Sequence, residues 1–163
     1  MNQNALTAPA MPPDRYGRQL RVLPTHDGLS FLEGLQAVIA AGAGVVVPLQ
    51  HFERDAMTQR ERDAGRFLGW YDGGGAYIMT MPALALVRAA QTTPAAAWLT
   101  PWTLNKQLAA LGVLATMGST TITVKKRVSG NSYSTLHFRP GVLDVGHYAE
   151  TWESWVSGDS TRG

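Results

Sequence analysis

Three consecutive cations, Lys125, Lys126 and Arg127, stand beside the turn sequence Ser129-Gly130-Asn131-Ser132. Cations at a hairpin tip, next to hydroxyl and amide donors, suit the oxygens of a phosphate backbone. The flanking residues spell out that hairpin. Ile122, Val124, Lys126 and Val128 alternate with Thr121, Thr123, Lys125 and Arg127. On the return strand Tyr133, Thr135 and His137 alternate with Ser134, Leu136 and Phe138. One face is mainly apolar, and the other ends in charge near the turn. Residues 73–143 contain no Asp or Glu but hold Arg88, Lys106, Lys125, Lys126, Arg127 and Arg139. The acids lie before this stretch and after it, which points to one basic surface facing a polyanion.

Other chemistry finds little support. His26, His51, His137 and His147 are scattered, and His147 with Glu150 is too small a set for a metal, which takes three or four ligands. Glu61 and Asp63 sit beside Arg60 and Arg62 and read as solvated ion pairs. Gly42 and Gly44 end a helix rather than open one, so they are not a dinucleotide fingerprint. Gly73-Gly74-Gly75 lacks the Lys-Ser/Thr of a phosphate loop. The expectation is a protein without catalytic residues, cofactor or metal.

The chain has 163 residues, 45% of them hydrophobic and 16% charged, and a net charge of +2. That fits one soluble domain with tails. Cysteine is absent, which removes disulfides and thiolate chemistry and fits a cytoplasmic protein. No apolar run is long enough for a membrane span, and the N-terminal residues lack a secretory pattern.

The elements that must position the basic hairpin follow from periodicity. Residues 1–26, with Pro9, Pro12, Pro13 and Pro24 and the cations Arg15, Arg18 and Arg21, read as a flexible tail. Asp27 is placed as the cap of a helix carrying Leu29, Leu32, Leu35, Val38 and Ile39, followed by a short strand, Val45, Val46 and Val47. Residues 51–63 are either a short helix or a loop. Two strand-like runs around Trp70 and Tyr77 flank Asp72 and the three glycines, which predicts a small hairpin. A second helix starts near Pro82, and residues 91–97 form a loop. Thr100 as cap, Pro101 at the first turn and Gly112 past the end define a third helix. Leu104, Leu108 and Leu111 form its buried stripe, and Thr103, Lys106 and Gln107 its exposed face. Trp98 and Trp102 at its start read as packing residues. Tyr148, Trp152 and Trp155 mark a short acidic, aromatic C-terminal helix or tail over residues 141–163, either folded back or docking a protein partner.

Two helices followed by a basic hairpin predict an α+β fold: a winged-helix domain over residues 27–140, with an upstream helix and a small β-hairpin. RFLGWYDGGGAYIMTMPAL, TLNKQLAALGVL and TITVKKRVSGNSYSTLHF resemble the C-terminal segment of primase–helicase proteins of phages, plasmids and integrative elements. A weaker resemblance is to the C-terminal domain of some conjugative relaxases. The first implies a DNA-binding module in replication, with Thr103, Lys106, Lys125, Lys126 and Arg127 at the contact. The chain lacks the nucleotide-binding loop and acidic metal cluster of such proteins, so ATPase and primase activity do not carry over.

The resulting expectation is a nucleic-acid-binding surface of Thr103, Lys106, Gln107, Lys125, Lys126, Arg127, Ser129, Asn131, Ser132 and Arg139. Duplex DNA, forked DNA and RNA all remain open as ligands. Neutralising four to six phosphates corresponds to a log–log salt slope of roughly −4 to −5. A protein-docking module and a winged-helix transcription regulator are the alternatives.

Overall fold

The computed structural model describes residues 25–90 and 99–159. The N-terminal basic tail, apart from its last two residues, lies outside them, as do the loop at 91–97, Trp98 and the last four residues. Among these residues, five helices and a mixed six-stranded sheet make up the fold: α1 (His26–Ala40), β1 (Val45–Pro48), α2 (Arg54–Asp63), β2 (Phe67–Asp72), β3 (Gly75–Ile78), α3 (Thr80–Ala90), α4 (Pro101–Ala110), β4 (Leu114–Thr116), β5 (Val124–Val128), β6 (Asn131–Phe138) and α5 (His147–Asp159). The α+β expectation holds at that level. Thr25 rather than Asp27 precedes the first helix, and the ambiguous segment at 51–63 is largely helical.

The strand order is β1-β2-β3-β6-β4, with β5 also paired to β6. Parallel strands need a crossover, and α2 supplies it between β1 and β2. Antiparallel pairs build the rest, and β6 lies between β3 and β4. The β1–β2 register jumps from Val45↔Phe67 to Val46↔Gly69, leaving Leu68 as an extra residue in β2. This shift brings Trp70 to the same face of the sheet as Phe67, three residues before it, while Leu68 faces the other side.

Each face buries its own cluster. Phe31, Leu35 and Val38 of α1, Leu84 and Val87 of α3, and Leu104 and Leu108 of α4 pack with Val46, Leu68, Ile78, Leu136 and Phe138. On the other face Met57 of α2 and Tyr148 of α5 pack with Val45, Val47, Phe67, Trp70 and Val128. The segment after β6 joins both clusters. Leu143 is buried with the first, and Gln36 on α1 exchanges two hydrogen bonds with the backbone of Asp144. No helix among the described residues is long and apolar enough to cross a membrane.

Candidate nucleic-acid interface

The basic hairpin turns through Ser129 (φ 51°) and Gly130 (φ 83°), two left-handed residues that match the twist of the flanking strands. Its register pairs Lys125 with Ser134 and Arg127 with Ser132. All four are exposed on one face, with Asn131 exposed beside the turn. Lys126 pairs with Tyr133 and points the other way. Its Nζ lies 3.9 Å from the centroid of the Tyr77 ring and 3.7 Å from Asp72 Oδ2. The expected tip of three free cations is therefore corrected to two, because strand alternation turns Lys126 inward onto an aromatic ring and an acid from the β2–β3 turn. Tyr77 in turn stacks on His137 at 4.3 Å. The His137 Nε2 lies 2.8 Å from the Gly74 carbonyl oxygen, so it carries the proton and Nδ1 accepts from the Thr116 hydroxyl at 2.7 Å.

Ser129 is also not a free donor. Its hydroxyl donates to Asp55 Oδ1 at 2.6 Å and accepts from Arg54 Nη2 at 3.1 Å. These bonds fix the hairpin tip to the start of α2. The Ser129 hydrogen bond, and then that of Arg54, hold the Asp55 carboxyl below its ordinary range.

Helix α4 folds as its caps dictate. Thr100 Oγ1 accepts from the Thr103 amide at 3.2 Å, and Pro101 occupies the first turn. Thr103 is exposed, with its hydroxyl 2.9 Å from that of Thr100. Lys106 lies over the Trp102 ring, 4.3 Å from the centroid. Trp102 is 66% exposed, which corrects its reading as a packing residue. Gln107 is corrected in the opposite direction. It is 2% exposed, and its Oε1 accepts from the Gly28 amide at 2.6 Å. That amide is one of the unpaired N–H groups in the first turn of α1, whose preceding Thr25 provides no side-chain cap. Gln107 is a cap delivered from another helix, not a reading residue.

Arg139 is exposed just past β6. About 23 Å of extended chain separates the two ends of β6, so Arg139 does not belong to the hairpin tip. The structure thus groups Lys125, Arg127, Asn131, Ser132 and Ser134 on the hairpin, and Trp102, Thr103 and Lys106 on α4. Ser134 and Trp102 were missing from the expected set. Ser134 was legible from cross-strand pairing, whereas nothing in the sequence separates an exposed Trp from a buried one.

One further expectation changes, and of the two readings of the C-terminal helix the folded-back one is seen. Glu61 is fully buried rather than solvated, held by Arg66 Nε at 2.9 Å, Arg66 Nη2 at 3.3 Å and the Tyr148 hydroxyl at 2.8 Å. Burial, and then the Glu61 hydrogen bond, raise the Tyr148 phenol well above the usual tyrosine range, so it stays a donor. Tyr148 and Trp152 are likewise spent inside the molecule. Trp152 Nε1 donates to Glu53, and Arg60 lies over Trp152 and Trp155. Helix α5 folds back on α2, and Tyr148 is not free to meet a protein partner. Among the described residues no group of three or more His, Asp or Glu side chains could hold a metal.

Comparison of the chain with protein-family models, curated proteins and solved structures finds no match.

Proposed function

We propose that the chain is a non-catalytic, winged-helix DNA-binding module, with β5–β6 as its wing and α4 as its second contact. The chain path supports this reading. Helix α1, strand β3, helices α3 and α4, the β4–β5 edge and β6 follow the helix–strand–helix–helix–strand–wing–strand order of that fold, with β6 between β3 and β4. On this reading β1, α2 and β2 extend the sheet beyond β3.

The observation that carries the functional reading is the outer face of the hairpin. Lys125 and Arg127 are exposed and cross-strand from Ser134 and Ser132, and no acid lies anywhere in residues 73–143. Cations with hydroxyl donors between them complement phosphate oxygens. With Lys126 held by Tyr77 and Asp72, the hairpin face and α4 offer the exposed Lys125 and Arg127 and the half-buried Lys106, and three phosphate contacts on a duplex correspond to a salt slope of about −3. No Arg on α4 offers a two-pronged contact to guanine, so sequence preference is weak. A role in the replication of a phage, plasmid or mobile element rests on the motif resemblance alone.

The test is fluorescence anisotropy of the purified chain with labelled DNA, comparing the wild type with a Lys125→Ala/Arg127→Ala variant of unchanged circular dichroism. Loss of most binding in the variant is the expected result. Equal affinity would remove the wing from the interface.

A further inference from the structure

Trp102 is the largest side chain that the fold leaves on the surface of α4. It is 66% exposed and belongs to neither buried cluster. It is also well placed. Pro101 and the Thr100 cap fix the first turn of the helix, so the indole stands on rigid backbone. Lys106, one turn later, lies over the ring at 4.3 Å. With two-thirds of the residue exposed, the ring keeps an open surface, and a cation stands next to it. Thr103 is exposed alongside.

The chemistry of this pair favours one form of DNA. In a duplex the faces of the bases are stacked on each other, and a protein reaches only their edges. An indole has a single N–H donor and no acceptor, so it reads edges poorly. It is a good stacking partner for a base that has left the stack, and such stacking tolerates any base. The neighbouring ammonium then meets the phosphate of the stacked nucleotide. Neither α4 nor the rest of residues 73–143 contributes an Asp or Glu of its own.

We infer that Trp102 and Lys106 form a stacking platform for an unpaired nucleotide, so that the ligand is single-stranded DNA or the unpaired arm of a fork rather than a uniform duplex. The inference rests on the DNA-binding reading above and names the form of DNA that it takes.

Anisotropy of the full chain with an oligo-dT of about 15 nucleotides, a length within reach of one stacking groove, tests it against a duplex of equal length. Tighter binding of oligo-dT is expected, with Trp102→Ala weakening it about 5- to 100-fold and Trp102→Phe retaining most of the affinity. Binding of oligo-dT quenches tryptophan emission, and Trp102→Ala removes most of that quench. Lys106→Ala, which leaves the indole in place, lowers the salt slope on oligo-dT by about 1. If Trp102→Ala binds oligo-dT like the wild type while Lys125→Ala/Arg127→Ala does not, the stacking inference is overturned and the DNA-binding reading stands. If the wild-type chain binds neither DNA at low salt, both fall.

Discussion

The Ser129 hydroxyl donates to Asp55 Oδ1 at 2.6 Å, tying the tip of the β5–β6 hairpin to the first turn of α2, 74 residues earlier in the chain. Arg54 completes the contact from the same turn. Together with Val128 buried against the α2 side of the sheet, this makes the hairpin a braced element. On the proposed DNA-binding reading, a braced hairpin presents Lys125 and Arg127 with little ordering left to do on binding.

The brace depends on pH through Asp55. Its folded pKa lies below the ordinary value of about 4, so its contribution is complete above that value and is lost as pH falls through the folded pKa. Ser129→Ala removes the largest cause of the shift. An NMR titration of the Asp55 carboxyl carbon is expected to move upward toward the ordinary value in that variant, with faster amide exchange at Gly130 and Asn131. An unmoved titration would contradict the brace.

Gln107 separates capping from reading. Gln107→Ala leaves the buried Gly28 amide without its acceptor and is expected to cost about 1–3 kcal/mol in urea denaturation. DNA affinity of the folded fraction stays unchanged. A stable variant with weakened binding would return Gln107 to the interface.

Glu61 anchors the C-terminal helix. Tyr148→Phe deletes a buried hydrogen bond to a carboxylate and is expected to cost about 1–3 kcal/mol. Glu61→Ala costs more, because Arg66 and Tyr148 then both lose their acceptor. Denaturant midpoints rank the two variants, and the reverse order would contradict the assignment of Glu61 as the hub.

Gly75 marks the closest approach of β3 to the end of β6. A Cβ there would lie 2.0 Å from the Phe138 carbonyl oxygen, and the residue has φ 124°. Gly75→Ala is therefore expected to destabilise by at least about 1–3 kcal/mol, read as a lowered melting temperature. A neutral result would show that β3 and β6 can part without cost.

Much of this architecture is written locally in the chain. Thr100, Pro101 and Gly112 bound α4 because caps act within a turn, and alternation places Lys125 and Arg127 on one face because strand periodicity is 2. The same alternation grouped Lys126 with Val124 and Val128, yet its charge drew it into the expected site. What stayed hidden is non-local. Gln107 is buried by a contact 79 residues away, and Glu61 by a tyrosine 87 residues away. The parallel pairing of β1 with β2 was equally invisible, since short apolar strands do not declare their neighbours.

The most direct test of the central claim is the salt dependence of DNA binding, measured by anisotropy between about 50 and 200 mM salt. The wild-type chain is predicted to give a log–log slope of about −3 on duplex DNA or about −2 on a single strand, and Lys125→Ala/Arg127→Ala a slope of about −1 or shallower on either, with most of the affinity gone. Equal slopes and affinities for the two proteins would contradict the assignment of the hairpin face as the nucleic-acid contact.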